Sequence, residues 1–133
     1  RMPSYVVRRA IDLLNSANRP INKSKIMVLG VSYKKDVGDV RESPALEIIE
    51  ELKDLGASIQ YHDPFVKEIA LESGTIRSTA LSERVLKQQN LIVILTDHSE
   101  VNYSQVVHAG KLILDTRNAL NKIKRQRSKI SLL

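Results

Sequence analysis

Cysteine is absent from the 133 residues, tryptophan is absent too, and phenylalanine occurs only once. Without a thiol there is no disulfide, no thiolate metal site and no cysteine nucleophile, and a cytosolic setting is the expectation. With aromatics at 4%, the stacking platforms used by single-strand nucleic-acid readers are missing. No run of about 18 apolar residues occurs, so no membrane-spanning helix is expected. The start, Arg1-Met2-Pro3-Ser4, does not lead into the apolar stretch and small-residue cleavage site of a secretory signal. An opening Arg rather than Met points to a piece of a longer chain.

What is present suits one globular domain, because 42% of the residues are apolar and the length is enough to bury a core. The formal charge of +6 is concentrated late: Lys122, Lys124, Arg125, Arg127 and Lys129 follow one another with no acid between them. Without them the remaining cations nearly balance the 15 acids. Such a stretch reads as a solvated tail, and no nucleic-acid partner is expected.

Apolar periodicity predicts a helix over 3–18, with Val6, Val7, Ala10, Leu13 and Leu14 on one face. A buried strand follows at 25–30, then a polar loop over 31–44. Ser43 reads as the N-cap of the next helix, with Pro44 at its first position and Gly56 at its end. A second strand is predicted at 57–61, a turn-rich stretch around Glu72–Thr75, and a short helix over 82–89. The apolar run 91–95 reads as a central strand, 103–108 as one or two helical turns, and 111–115 as a final core strand. Continuous apolar strands alternating with helices imply an α/β fold: a single, Rossmann-like, doubly wound domain with a parallel sheet. Residues 1–20 would form an entering helix and 21–133 the domain proper.

Ligands of such sheets bind outside the carboxyl ends of the strands. Four segments reach that edge: the loop after Gly30, His62-Asp63-Pro64, Thr96-Asp97-His98 and Asp115-Thr116-Arg117-Asn118. A dinucleotide turn would need G-x-G-x-x-G, but Val31, Ser32 and Tyr33 follow Gly30 and the next glycine is Gly38. In its place Lys34, Lys35 and Arg41 precede a helix N-terminus, a combination that favours an anion such as a diphosphate. Asp36 and Asp39 either hold these cations or keep the loop soluble.

The stretch from Gly30 through Tyr33-Lys34-Lys35-Asp36 to Arg41-Glu42-Ser43-Pro44-Ala45, with Tyr61-His62-Asp63-Pro64 and Asp115-Thr116-Arg117-Asn118, resembles the C-terminal UDP-binding domain of the UDP-glucose/GDP-mannose dehydrogenase family. The resemblance covers nearly the whole chain. It implies an NAD-dependent oxidoreductase that converts the C6 hydroxyl of a UDP-sugar to a carboxylate. The wording of the motifs is similar to the bacterial branch acting on UDP-N-acetylhexosamines in surface-polysaccharide precursor synthesis. It also implies that Tyr33, Lys34 and Arg117 bind the UDP-sugar, and that Arg41 reaches the NAD. That NAD would be held mainly by an N-terminal domain, beside a middle domain that dimerises the full-length protein. The family's nucleophile is a cysteine, so this chain alone is expected to be inactive and to supply no catalytic residue.

The same residues also admit other readings. Lys34 is either a ligand contact or a surface lysine; Arg41 either serves a ligand or bridges to Asp39 or Glu42. Asp63 is strand-end turn chemistry or a ribose acceptor. His62, His98 and His108 lie on separate segments without metal-ligand spacing, so no metal site is expected. The alternative function is a non-enzymatic Rossmann-like interaction or regulatory module with a basic tail.

Overall fold

A computed structural model describes residues 2–133. The chain opens with α1 (Met2–Ser16) and β1 (Lys25–Leu29), followed by α2 (Ala45–Asp54) and β2 (Ser58–His62). Then come β3 (Glu68–Leu71), β4 (Gly74–Arg77), α3 (Glu83–Gln88), β5 (Leu91–Ile94), α4 (Tyr103–Ala109), β6 (Ile113–Asp115) and β7 (Ile130–Leu132). The five-stranded sheet has the order β2-β1-β5-β6-β7, and every pair in it is parallel.

The apolar strands sort their side chains by alternation. Ile26, Leu91 and Val93 face α1 and α2, where Val6, Ala10, Leu14, Ile48 and Leu52 complete a buried cluster. Met27, Leu29, Ile92 and Ile94 face the other way and meet Leu86 of α3 and Val106 and Val107 of α4. Helices therefore cover both faces, as the continuous apolar runs required. Both of the first two helices end in a left-handed residue. Asn18 (φ 59) follows α1 and Gly56 (φ 96) follows α2. In each case the amides past the helix turn back onto its last carbonyls: Arg19 onto Leu14, Ala57 onto Leu52. This ends α1 two residues before the expected boundary at Asn18.

Two expectations need correction. The turn-rich stretch is an antiparallel hairpin, β3 with β4; it buries Ile69 and Leu71 against Tyr61, Val66 and Ile49. Pro44 has helical dihedrals, φ −70 and ψ −10, and the Ser43 hydroxyl accepts the Ala45 N–H at 3.2 Å, so Ser43 caps α2 with Pro44 in its first turn, as expected. The basic stretch is not simply a solvated tail. Arg127 donates to the Leu120 and Ile123 carbonyls, Lys129 Nζ donates to the Gly110 carbonyl at 2.7 Å, and β7 extends the sheet beyond β6. Among the described residues no helix is long and apolar enough to cross a membrane.

Candidate functional site

The sheet order places β2 on one side of β1 and β5 on the other, so the connections leaving β1 and β5 diverge. The crevice between them is where open α/β sheets bind ligands. Gly30 turns the chain out of β1 with φ 87. A Cβ there would stand 2.4 Å from Thr96 Cβ and 2.8 Å from the Thr96 backbone, so the two strand ends can approach this closely only through glycine. The Thr96 hydroxyl then donates to the Ser32 carbonyl at 2.8 Å.

Residues 31–44 form a mostly exposed loop whose shape is set by buried polar groups. Asp63, at the end of β2, accepts the Val31 N–H at 2.9 Å and the Ser32 N–H at 3.3 Å on Oδ2, and the Phe65 N–H at 2.8 Å on Oδ1. His98 Nε2 lies 2.9 Å from the same Oδ2 and 2.9 Å from Ser32 Oγ. On the ring's other side, Nδ1 accepts the Asp36 N–H at 2.7 Å. The Asp36 carboxylate in turn accepts the Ser99 hydroxyl and N–H, and these two bonds hold its pKa below the ordinary value. Further along, the Asp39 carboxylate takes a bidentate pair from Arg41 at 3.0 and 2.9 Å. Those bonds lower it from 3.8 to about 2 and raise Arg41.

The fourth segment is built likewise. Asp115, buried at the end of β6, accepts the amides of Arg117, Ala119 and Leu120 at 3.1, 3.0 and 2.9 Å. The Asp115 carboxylate thus folds the turn that holds Arg117 out to solvent.

Tyr33, Lys34 and Arg117 meet around one cleft. They line a cavity of about 340 Å³ whose floor includes Ser43, Pro44 and Ala45 at the N-terminus of α2. With Lys35 and Asp97 they line an adjoining space of about 440 Å³. Arg41 lies beside them: it shares a further cavity of about 440 Å³ with Tyr33 and Lys34 but not with Arg117. These volumes are of the size that holds small molecules. Two cations and the positive end of a helix dipole give the cleft a positive field.

The expected cationic residues are therefore gathered, while the node beneath them went unseen in the sequence. Asp63 has its carboxylate filled by protein donors and is 3% exposed, which removes it as a ribose acceptor. Ser32, His98 and Asp63 are not a hydrolytic triad, since the serine and the carboxylate bond the same ring nitrogen and Ser32 is buried. A signal for the node was available: each of the three residues follows the end of one of the adjacent strands β1, β2 and β5. Among the described residues, no group of three or more His, Asp or Glu gathers as metal ligands would.

A sequence model described as UDP-glucose/GDP-mannose dehydrogenase family, UDP binding domain, matches residues 27–122. A UDP-N-acetyl-D-mannosamine dehydrogenase of Methanococcus vannielii is 32% identical over 91% of this chain, which spans 28% of that protein. A UDP-glucose 6-dehydrogenase of Rickettsia prowazekii is 33% identical over 90% of the chain and 29% of its own length. The solved structure of the UDP-D-ManNAc dehydrogenase from Pyrococcus horikoshii superposes with a TM-score of 0.76 and 28% identity. It covers 99% of this chain and 30% of its own. The chain thus spans under a third of the length of these relatives, and the matched stretch contains the loop after β1, the Asp63–His98 node and Arg117. On this match the chain belongs to the UDP-glucose/GDP-mannose dehydrogenase family, over the stretch that forms its UDP binding domain.

Proposed function

We propose that this chain is the C-terminal domain of an NAD-dependent UDP-sugar 6-dehydrogenase and that it binds the UDP-sugar while other domains carry the redox chemistry. The carrying observation is the convergence of Tyr33, Lys34 and Arg117 on the N-terminus of α2 in one cleft. A diphosphate there meets Lys34 and Arg117 as counter-charges and the positive end of α2. Tyr33 is half exposed and offers a ring face and a hydroxyl to the nucleotide-sugar.

NAD does not fit this chain as a cradle, because Val31, Ser32 and Tyr33 stand where the glycine turn would wrap a pyrophosphate. A neighbouring domain would hold it, with Arg41 reaching across. The Arg41 side chain is 86% exposed beyond its bond to Asp39, and an exposed pair of this kind exchanges partners at little cost. Closing this domain over the sugar nucleotide would neutralise its charge and exclude water from the hydride transfer. A UDP-N-acetylhexosamine is the substrate class we favour, with the oxidised product serving surface-polysaccharide synthesis in the cytoplasm. The full-length protein would be a homodimer, and this domain by itself inactive. The names of several relatives support the sugar class.

Calorimetric titration of UDP and UDP-sugars into the chain tests this reading. Lys34→Ala should weaken binding by about tenfold or more, the scale of one charge-assisted hydrogen bond. Parent-level affinity in that variant would remove the assignment. The rival, a non-enzymatic interaction or regulatory module whose basic tail touches nucleic acid or a partner, predicts in the first case salt-sensitive DNA binding that disappears when the chain is cut after Leu120. Arg127 and Lys129 favour it little, since both are engaged with backbone carbonyls.

A further inference from the structure

His98 is fully buried, and its donors and acceptors can be assigned from its partners. Nδ1 faces the Asp36 N–H at 2.7 Å, so it must carry a lone pair. Nε2 faces Asp63 Oδ2 at 2.9 Å, a carboxylate oxygen already accepting two backbone amides, so it must carry the proton. Ser32 Oγ spends its own proton on the Lys34 carbonyl at 3.0 Å, and it therefore stands toward Nε2 as an acceptor. The ring in this network is neutral and protonated at Nε2 alone. The other groups facing it are the Asp36 carboxylate, 3.8 Å from Nδ1, and the Phe65 ring, with centroids 5.1 Å apart.

These contacts fall on both sides of the two residues that front the cleft. Ser32 precedes Tyr33 and Lys34, Asp36 follows them, and the Ser32 hydroxyl holds the Lys34 carbonyl between. The loop buries little apolar surface of its own: Val31 is buried and Val40 half-buried, while residues 33–39 are all exposed. Its order therefore depends on polar bonds to the ends of the neighbouring strands, and His98, four residues past β5, supplies the one to the Asp36 backbone beside those of Thr96, Ser99 and Asp63.

We propose that His98 is a positioning residue for the ligand cleft: its neutral imidazole latches the Asp36 amide and shares Asp63 with the loop, so that Tyr33 and Lys34 stand pre-ordered for the UDP moiety. The latch touches no ligand itself. A loop ordered in advance loses less freedom on binding, so breaking the latch weakens affinity without removing any contacting group. The inference rests on the reading of the cleft as a UDP site.

The substitutions that separate the two ring nitrogens are His98→Asn and His98→Gln. Asparagine places an acceptor near the position of Nδ1, whereas glutamine keeps a donor near Nε2 and leaves the Asp36 amide without its acceptor. Three measurements apply to the parent and both variants: thermal unfolding, amide exchange at residues 33–36, and UDP titration by calorimetry. In His98→Gln we expect a cooperative fold, faster exchange at Asp36, and UDP affinity about tenfold lower with a more unfavourable entropy. His98→Asn should recover most of that affinity. Equal UDP affinity in His98→Gln and the parent, with Asp36 unprotected, overturns the latch. So does a 15N spectrum of the parent showing a proton on Nδ1, and this reading stands even if neither variant folds. Lys34→Ala separates the two claims. If Lys34→Ala binds as the parent does, the UDP site itself is wrong. If it loses binding while His98→Gln keeps it, only the latch is wrong.

Discussion

Asp63 accepts three backbone amides and the His98 ring within a site closed to solvent. Each of those donors would be buried without a partner if the carboxylate were lost. Asp63→Asn replaces one acceptor oxygen by an NH₂ that opposes them, and it should cost about 3 kcal/mol, read as a lowered midpoint in chemical denaturation. A cost within about 0.5 kcal/mol, the size of an ordinary surface change, would show that the node carries no load. Asp39 is a different kind of acid. Its pKa is depressed from 3.8 to about 2 by the Arg41 bonds, so whatever stability the pair adds is present above pH 4 and is lost as the pH falls toward 2. A carboxyl titration by NMR should place Asp39 near 2 in the parent and return it toward 3.8 in Arg41→Ala. An unshifted Asp39 in the parent would mean that the guanidinium is free in solution. At this scale the sequence was half legible. Lys34, Lys35 and Arg41 stood out because charge beside a helix start has a direct electrostatic reading, whereas Arg117 was marked by the family resemblance. Asp63 and His98 did not, because their partners lie far along the chain and only the parallel register of β1, β2 and β5 brings them together.

Strands that are apolar on both faces announce themselves, and β1 and β5 were legible for that reason. The β3–β4 hairpin was not: its strands are four residues long, only Ile69 and Leu71 are buried in them, and Glu72-Ser73-Gly74 reads first as a turn. β7 was hidden behind the run of cations that precedes it. Glycine gives the sharpest contrast between elements. Gly30 combines φ 87 with a Cβ position 2.4 Å from Thr96 Cβ, whereas Gly74 has φ 126 and nothing within 4 Å. Gly74→Ala should pay only the backbone cost, about 1–2 kcal/mol, and leave the cleft unaltered. Gly30→Ala adds an overlap between two strand ends that cannot part without displacing the loop, so it should cost roughly 3 kcal/mol or more and weaken UDP binding as well. Urea unfolding of the two variants side by side checks the order. A Gly74 variant as damaged as the Gly30 variant would show that the approach of Gly30 to Thr96 past the ends of β1 and β5 is not the tight point.

For the molecule as a whole, the sheet has two edges, and the chain treats the β6 side by adding β7 from its last residues. Ile130–Leu132 pairs with Ile113–Asp115, Ile130 packs on the α3–α4 side and Leu133 on the α1–α2 side. Arg9 of α1 donates to the Leu132 carbonyl at 2.9 Å. The last strand thus ties the first helix to the far edge of the sheet, and Leu132 and Leu133 line a space of about 550 Å³ beside Arg117. Ending the chain at Lys129 would remove that cover and leave the backbone of β6 open to pairing with another chain. The loss should be about 2 kcal/mol from the apolar surface of the three side chains, or roughly 6–8 °C in Tm for a domain of this size. Self-association should also rise with concentration in light scattering. Lys34 lies on the opposite side of β5, at the β1 connection, while Arg117 borders the space that Leu132 and Leu133 line, so UDP affinity at low temperature should fall through Arg117 alone and by less than it does in Lys34→Ala. A truncated chain that melts with the parent and stays monomeric would mean that β7 is an appendage rather than the closing strand of the sheet.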